Sequence, residues 1–583
     1  MAKSDARFSY LANLNRESHD LSRNFGFTAQ PGMLLPVFHD IATPGDTYYI
    51  EHDLTYLRTL PLAAPAMCDV IVHYESFFVP FQMIYQPMEQ TLFSLTDFQS
   101  SFYSYSTALN NDLPLVKTSD LISFINSSYK RDVVKSDIVR MFDMFGMNAS
   151  MFIYDNNNPS VCDYAPNFFP YQFLAYQAIY NYFYRLDDKS YFNHDAFNWD
   201  QYYATSNPLL PVIDLFELRQ RARDFDYYTS LYRSPIVSDA NLQRVLKDQD
   251  YSVLTPRATH PFNYNGQDVS SNAEVRNFGS GYPTSYSDVN MQVSLNTATI
   301  RQMFANEKLA MITGRARKTY DSQVLAHFGA EVPHDPKHDI ALIGSDSYPI
   351  QVGEVTSLAS TSDSGLGDLA GKGWATGHGR KHKFTAPCHG VVMTIFSVEP
   401  KVRYYGGFDK INTLTNAFDI PTPEFDRLGN VPMFRYETGE KESGETWSDI
   451  VGWKERYYAN KRRHDQVTLA FKNTNTFGVY NDKSAYMITQ SPFGSNAARR
   501  GGSVSSRPDL EDRFYVDRNA LDNLMLAPVI QSWQDGSTGM ATNENWNATP
   551  WLMYARDPFI VDSFEKVTKV SWMSKDGEPV YNF

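Results

Sequence analysis

The sequence predicts a mainly β protein, two sheets packed face to face, with long loop insertions that carry helices. Three observations predict it. Apolar and polar residues trade places with a period near two in Tyr48 to Thr59 and again in Val70 to Val79, the pattern of a strand with one wet face. Breakers at Gln30-Pro31-Gly32, at Pro44-Gly45-Asp46 and between Pro61 and Pro65 separate these short runs. Far downstream, Val391 to Phe396 is apolar at both alternating positions, as expected of a strand buried inside a sandwich.

Taken in order, residues 1–45 are polar and punctuated by Pro and Gly, and read as an N-terminal arm. The first strands with an aromatic-rich insertion follow over 46–236, strand-like pieces being expected at 45–80 and again at 205–235. Within the insertion a helix opens at Pro170, a position where the missing N–H costs nothing, and runs through Phe173, Gln177, Tyr180 and Tyr184. Its aromatic stripe reads as packing rather than as a ligand box. Residues 237–295 are polar, rich in Ser, Asn, Gly and Tyr, and lack a long apolar face; loops of this length are functional or disordered. A helix with further loops is expected over 296–383. Thr297 caps its start, Ile300, Met303, Phe304, Ala310 and Met311 share a face, and Gly314 ends it. The remaining strands and a C-terminal extension fill 384–583, and no internal repeat is present.

At 583 residues the chain is too long for one compact core unless a single domain carries large insertions. Only 20% of residues are charged while 15% are aromatic, including 38 Tyr and 39 Phe, a composition suited to a protein with much surface against partners. A secreted β-rich carbohydrate-binding or carbohydrate-active protein has a similar composition and is the alternative. Cys68, Cys162 and Cys388 are odd in number and far apart, so neither a disulfide framework nor a zinc site is signalled. The first residues lack the apolar stretch of a signal peptide, and no run approaches the roughly 18 apolar residues of a membrane span. Folding in a reducing cytoplasm is expected.

Nothing argues for catalysis. Gly365 to Gly373 satisfies G-x-G-x-x-A but lacks the strand and helix that a dinucleotide loop needs. His334 with His338, and His378 with His382, have helical metal-ligand spacing, but Pro333, Pro336, Gly377 and Gly379 interrupt them. No enzyme, metal or cofactor is expected.

Several pieces in fixed order resemble the major capsid proteins of the microviruses, small single-stranded DNA bacteriophages, and in particular their gokushovirus branch. They are G-x-L-x-P at Gly32 to Pro36, the turn at Pro44 to Asp46, Arg58 (read as buried) before the paired prolines, and Phe77 to Pro80. Further on come the Arg-rich stretch ending Asp226-Tyr227-Tyr228-Thr229 and the H-F-G-A-E unit at His327. His389-Gly390 with its following strand, the block Val451 to Val467 and the closing segment from Asp557 complete the set. Cys388 stands where the family usually has Glu before the His-Gly pair. The resemblance implies an eight-stranded antiparallel jelly-roll core. It implies a T=1 icosahedral shell of identical copies around circular single-stranded DNA, made in the bacterial cytoplasm, that mediates attachment to a host receptor.

The net charge of −14 is wrong for a protein that coats DNA unaided. Basic residues must then gather on one face, and a small basic DNA-binding packaging protein must help to neutralise the genome. Arg219, Arg221 and Arg223, then Arg315, Arg317 and Lys318, then Lys461, Arg462 and Arg463 are the DNA-facing candidates; Arg380, Lys381 and Lys383 form a further group. Basic residues beside aromatics suit single-stranded nucleic acid, although intersubunit salt bridges would use the same residues. Tyr251, Phe262, Tyr264, Tyr282 and Tyr286 make 237–295 the candidate surface protrusion and receptor contact, with 475–550 as the competing segment.

Overall fold

The computed structural model describes residues 16–60, 69–85, 140–147, 167–184, 218–223, 320–332, 335–356, 369–401, 407–415, 417–426, 429–438, 446–466 and 557–573, with shorter pieces between them. Its strands are β1 (Glu17–Asp20), β2 (Arg23–Ala29), β3 (Leu35–Ala42), β4 (Thr47–Thr59) and β5 (Val70–Pro80). The pairs β6 (Asn263–Tyr264) and β7 (Gln267–Asp268) precede β8 (Ala341–Thr356), β9 (Leu369–Gly377), β10 (His382–Thr385) and β11 (Gly390–Pro400). Then come β12 (Arg403–Tyr404), β13 (Asn430–Phe434), β14 (Ile450–Glu455), β15 (Asn481–Asp482) and β16 (Phe559–Ser571).

Eight of these make two antiparallel four-stranded sheets in the orders β2-β16-β4-β9 and β3-β11-β5-β8. Successive strands mostly cross from one sheet to the other, which is the winding of a jelly roll. The first half of β8 pairs with β5 and its second half with β9, so the sheets are also joined along one side. β1 extends the place of β2 beside β16, and β10 extends that of β9 beside β4. The eight-stranded core is therefore present, but its strands are not all where the sequence suggested. β1, β2 and β3 lie in the stretch read as an arm, and β8 and β9 lie in the stretch read as helix and loops. The stretch 205–235 supplies no strand among the described residues. It holds a 3-10 turn at Ile213–Phe216 and single bridges from Gln220 to Met33 and from Tyr232 to Trp453.

Burial follows the period of two along β16, whose residues alternate between the sandwich interior and the outside without a break. Leu54, Leu57, Val72, Tyr74, Phe396, Val398, Phe559 and Val561 fill the space between the sheets. Along β11 every residue is buried, because its second face lies under a helical layer. That layer includes α1 (Phe81–Ile84), α2 (Tyr171–Ile179) and a π turn at Tyr180–Tyr184. Phe142, Phe145, Phe173 and Phe216 stack within it at centroid distances of 4.7 to 5.4 Å, and Phe183 lies 4.8 Å from Phe77 of β5. The aromatic stripe is packing. The positions described between 301 and 313 are helical, and α3 (Tyr320–Phe328) ends at Gly329, whose φ of 65° suits a residue without Cβ. No helix among the described residues is long and apolar enough to cross a membrane.

Candidate nucleic-acid interface

The structure separates the basic clusters. Residues 218–223 run beside Gly32 and Leu34, through bonds from Leu34 N to Arg219 O (3.1 Å) and from Arg221 N to Gly32 O (2.6 Å). Alternation turns Arg219 and Arg221 inward. Arg219 is buried, donates from Nε to Gln177 Oε1 at 2.8 Å and lies over the Tyr180 ring. Arg221 reaches Glu75 at 2.9 Å and Glu399 at 3.2 Å, and donates to Ser397 Oγ. Burial works against its charge, but the adjoining carboxylates, Glu75 first, hold its pKa above the ordinary value. Arg221 ties the insertion to the sheet β3-β11-β5-β8 and Arg219 binds within the helical layer, so neither is on a free surface, a correction to their reading as DNA-facing. Arg223 is half-buried. Arg315, Arg317 and Lys318 lie outside the described residues.

Lys461, Arg462 and Arg463 sit on a satellite unit with its own small core of Tyr227, Tyr228, Leu231, Tyr404, Met433, Val451 and Tyr458. Two stretches singled out in the sequence meet here, since Tyr232 and Trp453 exchange backbone bonds of 2.8 Å each. Tyr227 OH donates to Glu437 at 2.7 Å, and the Lys454 ammonium is held over the Tyr227 ring. His464 packs against Tyr227 and Tyr228, and burial lowers its pKa. Lys461 is ion-paired to Asp426, Arg462 lies over Tyr458, and all three cluster residues are exposed.

Lys381 and Lys383 lie on the outer face of the other sheet, with their ammonium groups 4.7 and 5.9 Å from the Tyr49 ring centroid. Arg58, read from the sequence as buried, is exposed on that face. β4 turns Tyr48, Ile50, His52 and Leu54 inward, and a bulge facing Asp562/Ser563 resets the register so that Leu57 is inward and Arg58 outward. Tyr49, Arg58, Lys372 and Trp374 share this face; the sequence reading took Arg58 for a buried residue and gave the other three no surface role. The signal was the outward half of the alternation, which was used only to find the core.

His378 and His382 face different carboxylates, Asp53 at 3.3 Å and Asp346 at 3.1 Å. Gly371 and Gly373 of the glycine-rich stretch belong to β9. Of the protrusion candidates, Tyr264 lies in the β6-β7 pair; Tyr251, Phe262, Tyr282 and Tyr286 lie outside the described residues, as does nearly all of 475–550.

One arrangement looks catalytic and is not. His52 Nε2 is 2.7 Å from Ser76 Oγ, and its Nδ1 faces Glu565. Ser76, His52 and Glu565 are buried between the sheets at 1% exposure or less, so no substrate reaches them.

A two-sheet jelly roll with helix-bearing insertions and no open catalytic centre among its described residues fits a viral shell protein better than an enzyme. A family model described as capsid protein (F protein) matches residues 10–104 and 150–528, and the chain belongs to that family. It is similar to capsid protein VP1 of Chlamydia phage 1, 23% identical over 90% of this chain and 93% of that protein. It is also similar to capsid protein VP1 of Bdellovibrio phage phiMH2K, 22% identical over 87% and 93%. The protein is a structural component of a virion, and the resemblance to gokushovirus capsid proteins holds across most of its length.

Proposed function

We propose that copies of this chain close into a T=1 icosahedral shell around circular single-stranded DNA, assembled in the bacterial cytoplasm, and that the shell attaches the particle to a host-cell receptor. The observation that carries this reading is the complete jelly-roll strand order in a chain whose family match spans seven of the eight core strands, all but β16, and most of the insertions. Such shells close through repeated heterologous contacts. Jelly rolls also occur in lectins, but nothing in the geometry favours that reading. With a net charge of −14, the chain calls for a small basic protein to share neutralisation of the genome. Lys461, Arg462 and Arg463 remain candidates to face the DNA, as do Arg315, Arg317 and Lys318.

Size-exclusion chromatography and negative-stain imaging of purified protein, followed by nuclease treatment, test the shell. Closed particles that protect single-stranded DNA are expected; a stable monomer overturns the reading. For attachment, 237–295 is the proposed protrusion. Lengthening a loop costs only about 0.6 kcal/mol per doubling, so an excursion there is tolerated. Replacing 240–290 by a short Gly-Ser linker should give smooth particles that no longer bind host cells. Spikes persisting in that variant would move the role to 475–550.

A further inference from the structure

The two sheets of the sandwich are treated differently by the rest of the chain. The outer face of β3-β11-β5-β8 lies under aromatic helices, whereas the outer face of β2-β16-β4-β9 carries exposed side chains. A solvated face on an antiparallel sheet is ordinary, but large aromatics on it are not. Trp374 is 36% exposed, although tryptophan is a residue that a sandwich normally buries. Its ring lies against β8 at Gly353, where an added Cβ would stand 2.6 Å from the indole, so glycine at 353 makes the room. The outer edge of the six-membered ring therefore rests on the sheet, while the side chain as a whole stays partly open to solvent.

The charges on this face are also unusual for the chain. Two carboxylates are already engaged: Glu51 with Lys566 at 2.9 Å, and Asp53 with His378 at 3.3 Å and the Gly379 amide at 3.1 Å. Four cations have no carboxylate within ion-pair distance among the described residues, against two such acids, Asp562 and Asp20 of β1. Two of the cations sit beside the aromatic platforms by strand register. Arg58 is the cross-strand partner of Trp374, and Lys383 is that of Tyr49, with Lys381 over the same ring. Tyr49 and Arg58 stand nine residue steps apart along β4, a span of about 30 Å that accommodates several nucleotides. In a chain of net charge −14, a sheet face with surplus cations beside the exposed Trp374 and the half-buried Tyr49 is complementary to a polyanion with stacking bases.

We propose that this open face is a binding surface for single-stranded DNA, with Tyr49 and Trp374 stacking bases and Arg58, Lys372, Lys381 and Lys383 contacting phosphates. The proposal rests on the reading that the shell encloses single-stranded DNA, and it names the face that meets the genome. Recognition there is independent of sequence, because every base has a face to stack and the cations read only phosphate.

The test uses the purified full-length chain titrated with fluorescein-labelled oligodeoxythymidine over a series of salt concentrations. Each lost phosphate contact lowers the slope of log affinity against log salt by about 0.7, so the variant R58Q/K372Q/K381Q/K383Q should lose about 3 from the slope. W374L should bind at least about fivefold more weakly, while W374F, which keeps a ring, should stay within about twofold of the unchanged chain. The quadruple variant alters only solvated side chains and serves as the independent arm if W374L does not fold. An unchanged slope in the quadruple variant, or W374L binding as well as W374F, overturns the proposal. Loss of particle assembly with undiminished oligonucleotide affinity also overturns it, by making the face a contact between copies. Nuclease protection by unaltered particles is scored separately: its absence removes the enclosing-shell reading, whereas protection alongside unaltered variant binding removes only this face.

Discussion

His52 is the residue on which the two sheets are pinned. It lies opposite Glu565 in the register of β4 and β16, while Ser76 and Thr394 are opposite each other in β5 and β11. Ser76 Oγ sits 2.7 Å from His52 Nε2 and 3.0 Å from Thr394 Oγ1, and on the far side Tyr74 OH donates to Ser563, which donates to Glu565 at 2.6 Å. A buried polar set of this kind is costly to half-remove and cheap to replace whole. H52L and E565L should each lower the urea midpoint of the full-length chain, by an amount equivalent to about 3–5 kcal/mol, and H52L/E565L should recover most of that loss. Additive losses in the double variant would show that the two side chains act separately. His39 gives a second expectation at this scale. Burial under Phe145 and Tyr171 lowers its pKa to about 4, helped by the nearby Arg23 and opposed by Asp40. Its folded value lies below the 6.5 of the free imidazole, so as pH falls the unfolded chain takes the proton first. Stability is therefore lost from about pH 6.5 down to about 4. H39Q should flatten the melting temperature across that window, and an unchanged slope would assign the acid sensitivity to other groups.

At the scale of elements, legibility followed the inward face. β4 and β5 were readable because their inward positions are apolar, or nearly so, and alternate with polar ones, and β11 because its run is apolar on both faces. β16 alternates just as strictly in space, yet its inward residues include Ser563, Glu565 and Lys569, which the sequence presents as a polar tail. Partners brought from distant strands make those residues tolerable inside: His52 for Glu565, and Asp40 at 2.9 Å with Asp46 at 3.4 Å for Lys569. β1 and β2 were missed for another reason. They are short, Gly26 interrupts the run, and their hydrogen-bond partner is the far end of the chain, so nothing local marks them as strands. The DNA-facing arginines at 219 and 221 were misassigned because alternation of basic residues says which side they share but not what lies there. Glu75 and Glu399, on strands far away in sequence, decide it. Residues 17–29, which the sequence suggested as part of an arm, carry β1 and β2 of the sheet. Deleting them removes β1 and β2, exposes the outer edge of β16 and should abolish soluble folding rather than assembly alone. Folded subunits recovered by circular dichroism from that deletion would return the segment to the role of an arm.

For the whole molecule, the decisive geometry is how far apart in sequence the core strands stand. The chain leaves the sandwich after β5 at Pro80, re-enters at β8 with Ala341, leaves again after Pro400 and returns only with Phe559. β16 is then inserted between β4 and β2, pairing Phe559 with Thr59 on one side and with Ala29 on the other. Until that last strand arrives, β4 and β2 present unpaired edges, and the interior positions of His52, Tyr74 and Asp46 face no partner from β16. Contacts of this sequence separation make folding slow and leave strand edges exposed meanwhile. Completing the sheet therefore requires β16, from the C-terminal end of the described chain. A version ending at residue 556 should collect in the insoluble fraction, while the aromatic helix layer and β3-β11-β5, which do not contact β16 in the sheet order, retain their pairing partners. Supplying the segment 557–575 as a separate peptide during refolding should recover soluble protein by strand addition. A scrambled peptide of the same composition should not, because the alternation of Val561, Ser563, Glu565 and Val567 is what places the buried side chains. Soluble, cooperatively melting protein from the version ending at 556 without any peptide would mean that the sandwich closes without its central strand.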